Sequence, residues 1–338
     1  MTAITIAIDC MGGDLGPSVM IPSACEALAK YPYLSLILVG PPDRIEPELI
    51  SLGNRFGDRI IVKSASQIID MSEKPSTVLR KKKDSSMAVA LFTVAEGEAQ
   101  ACVSAGNTGA LMALSRHILK MIPGVSRPAI TSSLPTELGS TRLIDLGANV
   151  DCSAKQLYEF ALMGSAMVSA IENNDKPKVG LLNIGSEAIK GNEQTKEAAE
   201  LLEQSAYLNY IGYVEGNDVY QGVADIIVCD GFVGNVLLKG SEGVARLLIS
   251  RLQKEFERNY LTKLLSAIVM PVLKAFGRRI NPDQYNGASF IGLQGIVIKS
   301  HGAANQHATL AAIEEAIREV ENNVPIKIKD QLEQQLRQ

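Results

Sequence analysis

From Ile4 onward the chain alternates short, unbroken apolar runs with stretches of helical periodicity. Strands are expected near 3–9, 34–40, 59–63, 128–134, 141–146, 178–184, 208–214, 224–229 and 295–300. Most of these runs are continuously apolar, as strands covered on both faces must be. Helices are expected near 18–30, after Pro42, and over 86–99, 109–121, 155–172, 193–205, 235–258 and 304–322. This alternation is the layering of an α/β fold, a three-layer αβα sandwich around a largely parallel sheet. The expected organisation is a single catalytic α/β domain over 1–325, with 259–280 projecting as an interface or membrane element. A tail over 326–338, helical or frayed, follows it.

Several apolar runs end in glycine beside short polar residues. The clearest is Val103-Ser104-Ala105-Gly106-Asn107-Thr108-Gly109-Ala110-Leu111, a strand end, a tight loop and a helix start. Its glycines allow close backbone approach, and Ser104, Asn107 and Thr108 set hydrogen-bonding groups beside the amides of a new helix. The spacing matches neither the dinucleotide fingerprint nor the Walker loop. On the residues alone it is either a phosphate-binding turn or an Asn/Thr-capped helix start. Four more stretches share its grammar: Ala7 to Asp14, with Asp9, Gly12 and Gly13; Leu143 to Asn149, with Asp145; Leu181 to Gly185; and Ile227 to Asn235, with Asp230. Loops at the carboxyl ends of parallel strands gather at one crevice, and all five are expected to face it.

Composition narrows the chemistry. The chain is 338 residues long with a formal net charge of -4, which argues against nucleic acid as a partner. Five cysteines are scattered singly, without the paired spacing of a disulfide frame or a zinc site. Three histidines and no tryptophan make a multi-histidine metal centre or a base-stacking surface a poor fit. No secretory signal opens the sequence and no run is long enough to span a bilayer.

Charge and apolar stripes mark possible surfaces. Arg80-Lys81-Lys82-Lys83 is either a solvated face or an anion-attracting one. Arg251, Lys254 and Arg258 share one helical face, either solvated or a dock for an acidic partner. Leu261, Leu264, Leu265, Ile268, Val269, Val272, Leu273 and Phe276 hold amphipathic spacing, with Lys263, Lys274, Arg278 and Arg279 among them and Pro271 expected to kink or split the helix. Such a helix lies on an anionic membrane, crosses a homodimer, or covers its own core. His301 occupies a strand-to-helix loop, as a ligand group or a capping one, whereas His117 reads as structural. Lys190 stands in a polar loop, facing an anion or solvent.

Taken together, Asp9-Cys10-Met11-Gly12-Gly13-Asp14, Ser104 to Leu111, Asp145-Leu146-Gly147-Ala148-Asn149-Val150-Asp151, Cys229 to Asn235, Tyr285-Asn286-Gly287-Ala288 and Lys299-Ser300-His301-Gly302 closely resemble the PlsX family. The match runs in order from residue 4 to about 323, with Cys10 where Ala or Val is the expected residue. The resemblance implies a fold similar to the isocitrate and isopropylmalate dehydrogenases and to phosphotransacetylase. It also implies a reaction of bacterial phospholipid synthesis: acyl-[acyl carrier protein] and inorganic phosphate give acyl phosphate and free acyl carrier protein. A cytoplasmic homodimer is implied, peripheral to the membrane and beside the membrane acyltransferase that uses acyl phosphate. No cofactor and no metal are expected.

Phosphate is already an anionic nucleophile near neutral pH, and a thiol of pKa roughly 8.5 leaves readily, so neither a strong base nor a strong acid is obligatory. The site must align phosphate with the thioester and stabilise an oxyanion. Lys190 and the loop of Ser104, Gly106, Asn107 and Thr108 are expected to bind phosphate. Asp9, Gly12, Gly13, Asp145 and Asn149 are expected in the same substrate site. Asn235 and His301 would support the thioester carbonyl or the leaving sulfur, with Asp145 and Asp230 orienting them. The carrier protein is expected on Arg251, Lys254 and Arg258, and a membrane or second copy on Leu261, Leu265, Val269 and Phe276. The rivals are a nicotinamide-dependent dehydrogenase, disfavoured by the missing G-x-G-x-x-G, and a non-catalytic membrane scaffold.

Overall fold

The computed structural model describes residues 3–53, 55–280 and 282–336. In chain order the elements are β1 Ile4–Asp9, α1 Pro17–Lys30, β2 Leu34–Gly40, α2 Pro42–Ser51, β3 Ile60–Ser64, α3 Pro75–Lys81, α4 Ser86–Ala95, β4 Ala101–Ser104, α5 Thr108–Ile118, β5 Ala129–Thr136, β6 Gly139–Ile144, α6 Ala154–Glu172, β7 Lys178–Leu182, α7 Glu193–Glu203, β8 Asn209–Val214, β9 Ile226–Val228, α8 Gly231–Glu257, α9 Tyr260–Ile280, β10 Ala288–Ile291, β11 Ile296–Lys299, α10 Gln306–Glu321 and α11 Val324–Leu336.

Among the described residues the strands form one sheet, in the order β3-β2-β1-β4-β11-β10-β5-β6-β9-β7-β8. Apolar side chains leave both faces, so helices cover both. On one face Met87, Leu91, Leu111 and Leu114 of α4 and α5 join Val39, Val297, Leu143 and Ile227 of the strands in a core that spans both halves of the sheet. On the other face α1 and α10 bury the first half, and α6, α7 and α11 bury the second. These are the three layers the apolar runs call for.

The sheet is largely parallel, as expected, but its two halves run in opposite directions. β1, β2, β3, β4 and β11 are mutually parallel, but β10 is antiparallel to both β11 and β5, and β5 is antiparallel to β6. β6, β9, β7 and β8 then run parallel to one another, opposite to β4 and β11. The glycine loops after β1, β4 and β11 therefore lie at one end of the sheet, the Ser104 end. Those after β6, β7 and β9 lie at the other, the Asp145 end. β4 and β6 are also four strand steps apart, which is about 19 Å at the usual spacing. Within one copy of the chain the five loops do not share a crevice, and Asn107 does not meet Asn235 or Lys190.

Two elements lie outside the expected ones: β10, an antiparallel strand set between β11 and β5, and the short α3, which follows the segment at 70–74. The tail, left open between helical and frayed, is the helix α11, docked on α6 through buried Val324, Ile328 and Leu332. α9 continues through Pro271 as one helix.

α8 starts at the Asp145 end and runs along the sheet, with Leu237 and Leu238 against its core. Near the Ser104 end the Tyr220 hydroxyl donates to Ser241 Oγ. Beyond that point α8 leaves the sheet and exposes Val244, Leu247, Leu248 and Leu252. α9 returns alongside it and exposes Leu261 (65%), Leu265, Val269, Val272 and Phe276 (53%). Among its described side chains, then, the apolar face covers no core of its own. The side chains of Leu264, Ile268, Lys274, Arg278 and Arg279 lie outside the described residues.

Gly234 sets how closely α8 approaches the sheet, because a Cβ there would stand 1.9 Å from the Asp145 carbonyl oxygen. Gly234→Ala is expected to push α8 off the Asp145 loop and to cost about 1–3 kcal/mol, as overpacking of a filled core does. Thermal unfolding checks this, and an unchanged melting temperature would show that the contact relaxes freely.

Candidate active site

The Ser104 end is built from three adjacent parallel strands. Register places Asp9 opposite Ser104, and Ser104 opposite Lys299, so the last residues of β1, β4 and β11 form a row across the sheet. All three are buried. Ser104 Oγ donates to Asp9 Oδ2 at 2.6 Å and accepts the Gly106 amide at 3.1 Å. Burial raises the Asp9 carboxyl above its ordinary range, against hydrogen bonds from Ser104, Ser86 and the Met11 amide.

Glycine is required in the turns above this row. A Cβ on Gly12 would meet the Gly106 nitrogen at 2.7 Å, and one on Gly13 would meet the Gly302 carbonyl oxygen at 2.9 Å. The Asp14 amide donates to that same carbonyl at 2.8 Å. The turns after β1, β4 and β11 are thus pressed into one wall. Asn107 caps α5, accepting the Ala110 amide on Oδ1 at 2.9 Å, and its Nδ2 donates to the Met71 and Glu73 carbonyls. Its side chain is fully engaged in shaping the loop. The amides of Thr108 and Gly109, in the first turn of α5, have no intrahelical acceptor and suit an anion.

His301 is exposed at the same end. Its amide donates to Asn286 Oδ1 at 2.9 Å, and its Nδ1 accepts the Ala303 amide at 3.2 Å, which leaves Nε2 as the open ring nitrogen. Asn286 Nδ2 also donates to Ser300 Oγ and to the Ala308 carbonyl. Asn286 therefore clamps the corner that carries His301, a role its position in the Tyr285 to Ala288 motif did not reveal. Lys299 is the second residue that sequence reasoning passed over. It ends an apolar run and reads as a strand residue, yet its Nζ donates to the Ala105 carbonyl at 3.2 Å and to that of Ser300, inside the glycine wall.

At the Asp145 end the carboxylate of Asp145 is buried and accepts four donors: the amides of Ile130, Ala148 and Asn149, and Asn149 Nδ2. Burial raises its pKa while these bonds oppose the rise. Asn149 Nδ2 also reaches the Pro128 carbonyl at 2.8 Å. Both residues shape the backbone. Asp230 caps α8 through the Val233 amide at 2.8 Å, and Asn235 packs beside Gly147. A cavity of about 240 Å³ opens here between the starts of α6, α7 and α8, lined by Asp151, Cys152, Asn192, Thr195, Asp230 and Phe232. Lys190 is exposed two residues before Asn192, held only through its backbone to Glu187 and Asn183.

Of the expected site residues, then, the structure groups Asp9, Gly12, Gly13, Ser104, Gly106, Asn107, Thr108 and His301 at one end. It groups Asp145, Asn149, Lys190, Asp230 and Asn235 at the other. Arg251, Lys254 and Arg258 are exposed on the projecting part of α8, and Arg258 pairs with Glu255 at 3.2 Å. No cluster of metal-binding side chains occurs among the described residues.

Comparison with known proteins follows the same division between fold and chemistry. A family model described as fatty acid synthesis protein matches residues 4–327. A phosphate acyltransferase of Legionella pneumophila (strain Paris) is 54% identical over 332 residues, 98% of this chain and 97% of that one. One from Methylococcus capsulatus is 52% identical over 328 residues, covering 97% and 96%. Among solved structures, a phosphotransacetylase from Streptococcus pyogenes superposes with a TM-score of 0.62 at 18% identity, covering 93% of this chain and 94% of that one. A 4-hydroxythreonine-4-phosphate dehydrogenase from Klebsiella pneumoniae does so with a TM-score of 0.56 at 13% identity, covering 94% and 100%. At such identities the structural likeness concerns the fold alone.

Proposed function

The chain belongs to the PlsX family of fatty acid synthesis proteins and is an acyltransferase, and on that premise we propose that it moves an acyl group from acyl carrier protein to inorganic phosphate. The observation that carries the reading is the Ser104 end: three glycine turns pressed into one wall, beside the open amides of a helix start. A phosphate oxygen attacks the thioester carbonyl carbon, the C–O bond forms, the C–S bond breaks, and the departing thiolate takes a proton from solvent. The first-turn amides of α5 hold phosphate in line, and His301 Nε2 faces the carbonyl oxygen or the leaving sulfur. Asp9 and Ser104 position the loop from beneath. Lys190, Asp230 and Asn235 stand at the far end of the same copy and are left out of this phosphate-holding step.

Acyl phosphate made this way would feed phospholipid synthesis through a membrane acyltransferase. The hairpin of α8 and α9 fits that setting, since it leaves the sheet at the Ser104 end with an uncovered apolar face. It is proposed as the contact for a second copy and for an anionic membrane, which would make the enzyme a cytoplasmic, peripheral homodimer. Among the described residues no helix is long and apolar enough to cross a membrane. The cations Arg251, Lys254 and Arg258 on the same hairpin are proposed to receive the acidic carrier protein.

Release of free thiol from acyl-[acyl carrier protein] is expected to require phosphate and to be indifferent to nicotinamide cofactors. Thiol release that ignores phosphate would refute the transfer. In that assay, reversing Arg251, Lys254 and Arg258 to Glu is expected to raise the KM for the acylated carrier roughly tenfold, an effect of about 1.4 kcal/mol, and to leave the KM for phosphate in place. An unmoved carrier KM would remove the stripe from docking. Vesicles containing anionic lipid are expected to sediment the native chain and not the Leu265→Glu, Val269→Glu variant. Co-sedimentation of the variant would exclude α9 as the membrane contact.

A further inference from the structure

We propose that Lys299 is a substrate-binding residue whose buried ammonium contacts the inorganic phosphate held by the glycine turns of the Ser104 end. This rests on the transfer proposed above and names the cation that the phosphate meets. The sequence offered Lys190 for that task, but the strand reversal removes Lys190 from the Ser104 loop and leaves Lys299 inside it.

An ammonium taken out of water is expensive unless it is paired, and lysine is seldom buried. Lys299 is only 8% exposed. Its ammonium donates to two neutral carbonyls, those of Ala105 and Ser300, out of the three protons it offers. The charged groups that face it are Asp9 on β1 and Asp14 in the following turn, and both act on it through space. Asp9 is itself engaged by Ser104 and the Met11 amide.

Position then identifies what the ammonium is for. The Ala105 carbonyl it grips belongs to the wall made with Gly12, Gly13 and Gly302, where Ala105 Cβ would lie 3.0 Å from a side chain at Gly13. The same loop enters α5 two residues later through Asn107 and Thr108. One positive charge on β11 and the first-turn amides of α5 thus flank the same short loop, from Ala105 to Thr108. That is the chemistry of a phosphate, anionic and rich in acceptor oxygens, more than of a neutral acyl chain. Asp9 and Ser104 serve as positioning residues, because the row they form with Lys299 fixes where the lysine side chain departs from the sheet.

Titration provides a readout that a merely structural strap would not move. Desolvation lowers the Lys299 pKa to about 8, with Asp9 and Asp14 opposing the shift. A group depressed in this way is charged below that pH and neutral above it, so the cation is present at neutrality and lost on the alkaline side.

The experiment uses the full-length protein with inorganic phosphate as the probe, followed by calorimetric binding and by steady-state kinetics. Lys299→Met is expected to weaken phosphate binding and raise the phosphate KM by roughly 10- to 100-fold, the loss of one charged hydrogen bond. The KM for the acylated carrier should stay within a factor of about two on the same scale. In the native enzyme kcat/KM for phosphate should fall above pH about 8, and in Lys299→Arg that fall should move to higher pH, since guanidinium does not titrate there. A folded Lys299→Met that binds phosphate as the native chain does would overturn the proposal. If Lys299→Met does not fold, an alkaline limb unmoved in Lys299→Arg overturns it instead. A native chain that binds phosphate through Lys299 but transfers no acyl group would refute the reaction and leave the phosphate contact standing.

Discussion

A single constraint organises the molecule: β10 and β5 lie antiparallel to their neighbours in the middle of an otherwise parallel-stranded sheet. Backbone hydrogen bonding has to be satisfied across every strand pair, so once these two are in place the second half of the sheet must run against the first. Loops at carboxyl ends then fall at opposite ends of the sheet. The crevice of the Ser104 end and the cavity of the Asp145 end both follow from this, as does the long path of α8 between them.

The two ends handle buried charge differently. At the Asp145 end the carboxylate is saturated by four donors and serves the backbone. At the Ser104 end an acid and an ammonium are buried close together without joining, and the polar turns between them are glycine. Elsewhere Arg142 on β6 reaches Glu315 on α10 at 2.7 Å beneath the surface, while its Nε and Nη1 find no hydrogen-bond partner among the described residues. There burial lifts the neighbouring Glu319 carboxyl well above its ordinary range, with Glu315 adding to the rise. The Arg142 contact ties β6 to α10, whereas the buried row of Asp9, Ser104 and Lys299 underlies the glycine turns.

Much of this was legible in the residues. Unbroken apolar runs gave the buried strands, and glycine with Asp, Asn or Ser marked the turns because close backbone approach admits little else. Asp9, Ser104, Gly106 and His301 were found in that way, and the structure groups them. The change of direction falls at β5 and β6, whose short connection demands an antiparallel pair, and gathering every carboxyl-end loop at one crevice overlooks it. That gap alone placed Lys190 and Asn235 in the wrong company. Lys299 was hidden for a related reason: at the end of an apolar strand a lysine reads as the first residue to reach water, and only packing from β1 and β4 shows that it does not. Asn107 was noticed for its polarity, yet the structure spends that polarity on Met71, Glu73 and Ala110.

α8 carries a mechanical implication. It is a single helix of 27 residues, about 40 Å from end to end, with its first turns locked against Asp145 and Asn149 and its last turns standing free in the hairpin. Whatever seizes the distal half holds the long arm of a lever whose fulcrum lies near Ser241. A swing of about five degrees about that point moves the Gly231 tip by roughly 1 Å, enough to lengthen hydrogen bonds around Asp230. Events at the hairpin surface and the geometry of the remote cavity are thus joined by one stiff rod.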